Sequence, residues 1–149
     1  MARFPLQIDF CENMKLPLKL EYACRVLVQL VPTFTSGQVR RIDELGQREE
    51  ISPNYLTQIL NEMRSAGIVE SRRGKHGGYV LTKDPATVTL LDVVSSVEGH
   101  LLQVNSAGGG ESGGIVNEAW DEVFAAMEER LRGTSVADIA GKRSIDFSI

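Results

Sequence analysis

The chain has 149 residues, of which 42% are hydrophobic and 24% charged, and its formal net charge is −4. This size and composition fit one globular domain and exclude a large multidomain enzyme, and no apolar run reaches the roughly 18 residues that a membrane span needs. The charge is unevenly distributed, because residues 14–84 hold eleven basic against eight acidic side chains, whereas residues 85–149 hold four against ten. The basic surface that a polyanionic partner requires is therefore available only in the first half of the chain.

Cysteine usage and the start of the chain indicate the compartment. Cys11 and Cys24 are too few for a disulfide framework and lack the CxxC spacing of many redox and metal sites, which predicts a reducing environment. Residues 1–13 lack the apolar core and small-residue cleavage site of a secretion signal. We therefore expect a cytoplasmic protein with no membrane association, in which residues 1–13 form an N-terminal extension.

Two helices are predicted after this extension. Apolar residues recur at three- and four-residue steps over residues 15–31 and predict one face of a helix that ends at Pro32. The segment TFTSGQ is typical of a surface turn. Residues 42–48 then form a short second helix, in which Glu44 and Arg48 make an i, i+4 pair.

A third helix and a hairpin follow. Ser52 is the expected N-cap and Pro53 the first helical residue, and Gly67 ends the helix. The spacing of apolar residues then becomes typical of extended structure over residues 68–72 and 79–83. The RGKHGG between these two segments supplies the glycines that a hairpin tip with positive φ requires. Three helices and a glycine-tipped hairpin are the pattern of a winged helix-turn-helix.

The second half of the chain begins with a short helix and a glycine-rich segment. Thr89 and Asp92 have capping-box spacing ahead of a helix predicted at residues 90–98, which Gly99 ends. Residues 105–114 are glycines and small polar residues, which indicate a flexible loop.

A long helix is predicted over residues 115–132, because apolar residues trace a broad face along it. Thr134 is expected to cap a last short turn at residues 135–140. The apolar face is wider than the preceding domain can cover, which favours pairing with a second copy of the chain over packing against its own domain alone. The residues predicted for this dimer interface are Ile115, Trp120, Val123, Phe124 and Met127.

The third helix of a winged helix-turn-helix enters the major groove of DNA. Its apolar stripe leaves a solvent face of polar side chains with the length and hydrogen-bonding groups to read base edges, although a simply solvated polar face would look the same. The helix N-terminus also favours phosphate through its amides and dipole. The residues predicted to read bases are Ser52, Asn54, Tyr55, Thr57 and Gln58.

The predicted hairpin tip concentrates positive charge on a thin loop. Gly74, Gly77 and Gly78 keep this loop narrow enough to place an arginine in a minor groove. An ordinary charged hairpin is the alternative, whereas a nucleotide phosphate loop is disfavoured because no Gly-Lys-Ser/Thr opens a helix here. The wing residues predicted to meet DNA are Arg72, Arg73, Lys75 and His76.

Two stretches, MKLPLKLEYACRVLVQL and ISPNYLTQILNEMRSAGIVESRRGKHGGYVLTKDPATVTLLDVVSSVEG, resemble the Rrf2 family of winged-helix transcription regulators. The likeness covers residues 14–99 and resumes at NEAWDEVFAAMEERL and VADIA, and its most specific parts are the third helix and the wing. The resemblance implies a homodimer that binds a pseudo-palindromic operator, with the long C-terminal helix in the interface.

The resemblance also implies roles for individual residues. The base contacts that it implies are Ser52, Asn54, Tyr55 and Thr57, and the residue that it places in the minor groove is Arg73. The phosphate contacts that it implies lie near Lys15, Lys19 and Tyr22. Pro17 and Glu21 stand where many members have a hydroxyl and a basic residue, which weakens the expected grip of the first helix on phosphate.

The chain departs furthest from the family in the segment that carries the sensory iron–sulfur cluster of many members. Many members bind an iron–sulfur cluster through three cysteines before the long helix, but the corresponding LLQVNSAGGGESGGIVNEAW contains none. A cluster needs several thiolates or imidazoles that converge on the irons, and Cys11, Cys24, His76 and His100 are far apart in sequence. We therefore expect no iron–sulfur cluster, no metal site and no other cofactor. Cys24 is expected to be a small buried hydrophobe and Cys11 an exposed thiol, although a dimer could pool two cysteines per chain.

The predicted fold class is mainly α with a small β wing, a winged helix-turn-helix followed by a long C-terminal dimerisation helix. The predicted divisions are an N-terminal extension at 1–13, a DNA-binding domain at 14–84, a connecting helix at 85–104, a flexible glycine-rich loop at 105–114, and a dimerisation helix with a tail at 115–149.

The predicted function is that of a homodimeric, sequence-specific regulator that binds double-stranded DNA and acts as a repressor, with an unidentified effector. An enzyme is not expected, because the sequence shows no nucleophile–base pair, clustered carboxylates or metal-ligand spacing. Two alternatives stay open. The first is a protein-interaction module or a regulator controlled by a partner enzyme, and the second is a thiol- or metal-based redox sensor that uses Cys11 or Cys24.

Overall fold

The computed structural model describes residues 15–101, 103 and 108–146. Cys11 with the rest of the extension at 1–13, positions 105–107 of the predicted loop and residues 147–149 of the tail lie outside this part. The described elements are, in chain order, α1 (Leu18–Ser36), α2 (Ile42–Glu49), α3 (Pro53–Ser65), β1 (Val69–Arg72), β2 (Gly78–Leu81), α4 (Leu90–Val97), α5 (Gly113–Arg132) and α6 (Val136–Asp146).

The predicted mainly α winged helix-turn-helix with a small β wing and a long C-terminal helix is confirmed. The helices surround a core of aliphatic side chains, and β1 pairs with β2 in an antiparallel hairpin in which Val69 lies opposite Leu81 and Arg72 opposite Gly78. None of the described helices combines the length and apolar character that crossing a bilayer would require. The fully buried side chains at the centre of the core include Leu27, Leu30, Leu45, Leu56, Ile59, Leu60, Met63 and Val93.

The first helix differs from its prediction at both ends. It begins at Leu18 rather than at residue 15, after Pro17 in the N-cap position, and it continues through Pro32 to Ser36. Proline normally breaks a helix because it lacks an N–H. Here the next residue, Thr33, is buried, and its hydroxyl donates to Leu30 O and accepts from the Leu81 N–H of β2 at 2.9 Å. This contact with the wing stabilises the extra turn.

The turn between α2 and α3 is tight. Gly46, within α2, must be a glycine because a Cβ atom on it would lie 2.7 Å from the carbonyl oxygen of Ile51 in this turn. Glu50 has a left-handed backbone with φ of 57°. The predicted N-cap is confirmed, since Ser52 Oγ accepts from the Tyr55 N–H at 3.3 Å, and the predicted helix end at Gly67 has φ of +76°.

The second half of the chain confirms one predicted cap and corrects the start of the long helix. Thr89 and Asp92 form the predicted capping box. Gly113 and Gly114 were expected in the flexible loop but form the first turn of α5.

The last helix is capped by Ser135, not by Thr134. The Ser135 N–H donates to Asp138 Oδ2 at 2.9 Å and the Asp138 N–H donates to Ser135 Oγ at 3.0 Å. This reciprocal cap has the same spacing as the one at Thr89, and it starts a helix that runs to Asp146 rather than ending near residue 140.

The tail belongs to the body of the DNA-binding domain. Helix α6 packs against α1, and Val136 is buried in the core. The Val136 N–H donates to Val88 O at 2.8 Å, and the Leu90 N–H donates to Thr134 O at 2.9 Å. The described tail therefore supports the domain from the α1 side and leaves the solvent face of α3 uncovered.

Candidate DNA interface

Helix α3 presents the polar face that the sequence predicted. Its apolar stripe is fully buried, whereas Ser52, Asn54, Thr57 and Gln58 are exposed and Tyr55 is half-buried. Thr57 Oγ1 donates to Pro53 O at 2.9 Å, so this exposed hydroxyl can serve as an acceptor toward a further partner. The amides of Asn54 and Gln58 offer a donor and an acceptor each, which is the combination that reads adenine in the major groove.

The N-terminal half of α1 lies beside the start of α3. The Tyr22 ring meets the Tyr55 ring edge to face, with 5.8 Å between ring centroids. The guanidinium of Arg25 lies over the Tyr22 ring, 5.3 Å from its centroid. The structure thus brings one predicted phosphate contact, Tyr22, next to one predicted base contact, Tyr55.

The two lysines predicted to contact phosphate have different surroundings. Lys15 is exposed ahead of α1. Lys19 Nζ instead donates to Glu62 Oε1 of α3 at 3.1 Å, and the other carboxylate oxygen of Glu62 is enclosed and finds no hydrogen-bond partner among the described residues. Sequence reasoning missed Glu62, because the two residues are 43 positions apart and only the packing of α1 on α3 joins them.

A polar network also fixes α1 to the end of α2. The Nε of Arg25 donates to Glu49 Oε2 at 3.0 Å, its Nη2 donates to Glu49 O at 2.6 Å, and Gln29 Nε2 donates to Glu49 Oε1 at 2.6 Å. Glu49 immediately precedes the turn into α3. The network therefore holds the two helices of the helix-turn-helix against α1, and nothing in the periodicity of the sequence indicated it.

The wing is attached to the loop between α1 and α2. Arg40 and Tyr79 exchange two backbone hydrogen bonds of 2.9 and 2.8 Å. Gly78 must be a glycine, because a Cβ atom there would lie 2.5 Å from the Arg40 carbonyl oxygen. At the tip, Gly74 has φ of +115°, which an L side chain rarely adopts.

The four predicted wing residues divide into two groups. Arg73, Lys75 and His76 are exposed on the tip. Arg72 is half-exposed but has partners within the protein. Its Nη1 donates to Gly37 O at 3.1 Å, and its Nε lies 3.5 Å from Glu70 Oε1. The tip thus carries three basic side chains for which no ion pair is found within the described residues.

The predicted interface residues of α5 also divide. Phe124 and Met127 are half-buried and line a crevice with Leu91 and Val94 of α4. By contrast Ile115, Trp120 and Val123 are 73%, 51% and 48% exposed. Val116, which sequence reasoning did not select, is 50% exposed beside them. The helix therefore packs on its own domain through one end only and leaves an apolar surface uncovered by the described residues.

The environment of Cys24 is unsuited to thiol chemistry. Burial, and secondarily the nearby carboxylate of Glu21, raise the pKa of the Cys24 thiol to about 11. His100 is exposed after the end of α4. Among residues 15–101, 103 and 108–146, no group of three or more histidine, cysteine, aspartate or glutamate side chains is arranged to hold a metal ion.

Comparison with known proteins identifies the family. The sequence profile of the Rrf2 family, described as an iron-dependent transcriptional regulator, matches residues 16–142. The Mycobacterium tuberculosis protein Rv1287 is 35% identical over 133 residues, which are 86% of this chain and 82% of that protein. The HTH-type transcriptional regulator CymR of Bacillus subtilis is 30% identical over 127 residues, or 85% of this chain and 90% of CymR.

Solved structures agree with the sequence matches. The structure of CymR, the global cysteine regulator of B. subtilis, superimposes with a TM-score of 0.75 at 28% identity, and the match covers 87% of this chain and 98% of that one. IscR of T. potens gives a TM-score of 0.76 at 26% identity, with 93% and 95% coverage. The chain therefore belongs to the Rrf2 family of DNA-binding helix-turn-helix transcriptional regulators and is not an enzyme.

Proposed function

We propose that the chain works in the cytoplasm as a homodimer that binds a pseudo-palindromic operator and represses transcription by occluding a promoter. The observation that carries this proposal is the exposed apolar surface of α5. Ile115, Val116, Trp120 and Val123 are each about half exposed or more. Contiguous apolar surface of this kind on a soluble protein marks an interaction site, and a self-complementary stripe suits a two-fold dimer.

The spacing of these side chains favours a second copy of the same helix as the partner. The exposed side chains Val116, Trp120 and Val123 follow one another at steps of four and three residues. This is the repeat of a coiled-coil seam, in which each apolar side chain inserts between side chains of the facing helix. The ring centroids of Trp120 and Phe124 lie 5.9 Å apart, so Phe124, which lines the crevice with α4, would support Trp120 at the middle of the interface.

A dimer explains how one small domain reads an operator. Two recognition helices related by a two-fold axis reach successive major-groove faces when they are about 34 Å apart. In each half-site, Asn54, Thr57 and Gln58 would contact base edges, and Arg73 would enter the adjacent minor groove. The second half of the chain, with four basic and ten acidic residues after position 84, would face away from the phosphates that it repels.

The residues present do not fit the iron–sulfur cluster that the family description suggests. A cluster needs several thiolates or imidazoles around the irons. The sequence from 99 to 114 contains no cysteine, and Cys24 is partly buried in α1 with a pKa raised to about 11. We therefore propose that the chain is a cluster-free member, whose DNA affinity responds to an effector of another kind.

The proposal is tested by selecting duplexes from a random-sequence pool with the full-length purified chain. We expect an inverted repeat whose half-site centres are about ten base pairs apart, bound by two chains in sedimentation. Transcription in vitro from a promoter that overlaps this sequence should fall as the protein is added. Enrichment of an asymmetric sequence, binding by one chain, or increased transcription would each contradict the proposal. Iron and acid-labile sulfide in anaerobically purified protein would contradict its cluster-free part.

A further inference from the structure

Two neighbouring arginines at the end of β1 have different roles in the wing. Arg73 is exposed on the tip, whereas Arg72 is bonded to Gly37 and faces Glu70. We infer that Arg72 is a positioning residue, which fixes the wing against the loop after α1 so that Arg73 is directed into the minor groove. Arg72 itself does not contact DNA. This inference rests on the proposed function, in which Arg73 enters the minor groove.

The acceptor of the Arg72 hydrogen bond is the end of a helix. Gly37 is the C-cap of α1, with a left-handed φ of 69°, and its N–H donates to Thr33 O at 2.9 Å. A cation near a helix C-terminus is stabilised by the helix dipole and by the free carbonyl groups there. The last turn of α1 has no basic residue of its own, so Arg72 supplies this positive charge from the wing.

The hydrogen bond is placed where it controls the direction of the tip. Arg72 lies opposite Gly78 in the final rung of the hairpin. On the β2 side, Tyr79, which follows Gly78, exchanges two backbone hydrogen bonds with Arg40. On the β1 side, Arg72 reaches Gly37. Both strands are therefore hydrogen-bonded to the α1–α2 loop where the tip begins. These bonds fix the direction in which the tip residues extend.

The charge of Arg72 is already balanced. Side chains at i and i+2 of a strand lie on the same face, which places Glu70 beside Arg72, whereas Arg73 follows the end of β1 on the exposed tip. The 3.5 Å approach of Arg72 Nε to Glu70 Oε1 follows from this alternation. Arg72 would have to exchange these partners for a phosphate contact, whereas Arg73 has no ion pair to give up among the described residues.

The test is a double-mutant cycle with Arg72→Ala and Arg73→Ala, using the duplex that the wild-type chain selects from a random pool. Binding is titrated at several salt concentrations. Loss of Arg73 should lower affinity about tenfold or more and reduce the slope of log affinity against log salt by about 0.9. Loss of Arg72 should lower affinity about fivefold with the slope unchanged. The double variant should bind no more weakly than Arg73→Ala alone.

Arg72→Gln separates the hydrogen bond from the charge. Its amide still offers a donor toward Gly37 O, so this variant should recover most of the affinity lost in Arg72→Ala. Thermal unfolding of each variant controls for folding, and similar midpoints are expected because Arg72 is 52% exposed.

Three results would overturn the inference. They are wild-type affinity in Arg72→Ala, a slope reduced as much as in Arg73→Ala, and losses that simply add in the double variant. If Arg73→Ala itself binds like wild type, the proposed minor-groove contact fails first, and the positioning role falls with it. That outcome is recognisable because it appears in the single Arg73 variant.

Discussion

Tyr22 of α1 and Tyr55 of α3 meet edge to face, with ring centroids 5.8 Å apart and ring planes at 73°. This contact joins the helix expected to grip phosphate to the N-terminal turn of the helix expected to read bases. Arg25 lies over Tyr22 and is also bonded to Glu49 at the end of α2. A single cluster therefore fixes the relative positions of all three helices of the DNA-binding domain.

The aromatic contact should contribute measurably to stability. We expect Tyr22→Ala and Tyr55→Ala to couple by about 0.5–1.5 kcal/mol in a double-mutant cycle on the free energy of unfolding, because edge-to-face pairs contribute that much beyond buried area. Tyr22→Phe keeps the ring and should change stability by less than about 0.5 kcal/mol. Urea titrations provide the measurement. Additive losses in the two alanine variants would show that the rings do not stabilise each other.

Cys24 should be a poorly reactive thiol. With its pKa raised from 9.0 to about 11, about one molecule in a thousand is a thiolate at pH 8, against about one in ten for an unperturbed thiol. In a Cys11→Ser variant, labelling of the native protein by an aromatic disulfide should therefore be at least a hundredfold slower than in urea. Labelling at comparable rates in both states would contradict the assigned environment.

Because the pKa of the Cys24 thiol is raised in the folded state, we expect the stability of the protein to fall at high pH. The folded state favours the neutral thiol, so this contribution to stability is fully present below pH 9 and is lost as the pH rises from about 9 toward 11. A Cys24→Ala variant should show less of this decline than the protein that retains Cys24. Urea unfolding at pH 8 and pH 10.5, in the Cys11→Ser background, compares the two.

Local signals in the sequence predicted the caps and turns well, because a cap depends on residues three or four positions apart. Ser52, Gly67 and the Thr89–Asp92 box all occur as expected. The same rule would have found the cap at Ser135, whose partner Asp138 has the same spacing. The predicted end of α1 was wrong for a different reason. The helix continues beyond Pro32 because Thr33 contacts β2, and rules based on neighbouring residues do not include such a contact.

Side-chain partners in the candidate site could not be predicted from periodicity. Arg72 was assigned to DNA because of its charge and position, and Lys19 because of the family resemblance. In the structure each is paired within the protein, Lys19 with Glu62 and Arg72 with Gly37 and Glu70. Such pairs depend on how α1 packs against α3 and against the wing. Composition shows where basic side chains are concentrated. Only the fold shows which of these side chains are paired within the protein and which are available to DNA.

Glu62 should restrain the contact between Lys19 and phosphate. We expect Glu62→Gln to strengthen binding to mixed-sequence duplex DNA about two- to fivefold and to steepen the salt slope by about 0.9, because one further cation becomes available. Stability should change little, since ion pairs at partly exposed sites contribute about 0–1 kcal/mol. Glu118→Gln, which removes one exposed carboxylate from α5, is the matched control for net charge. Equal slopes in Glu62→Gln and Glu118→Gln would mean that Lys19 does not contact phosphate.

The exposed stripe of α5 should hold the dimer together. Trp120→Glu places a charge at the centre of this stripe, so we expect the chain to sediment as a 16.4 kDa monomer while the DNA-binding domain remains folded, because no residue of α5 is buried within the described chain. Affinity for the selected inverted repeat should fall about a hundredfold or more, since each half-site is then bound separately. Ala125→Glu is the control, because Ala125 is exposed on the side of the helix opposite Trp120. A Trp120→Glu variant that remains dimeric, or an Ala125→Glu variant that dissociates equally, would place the interface elsewhere.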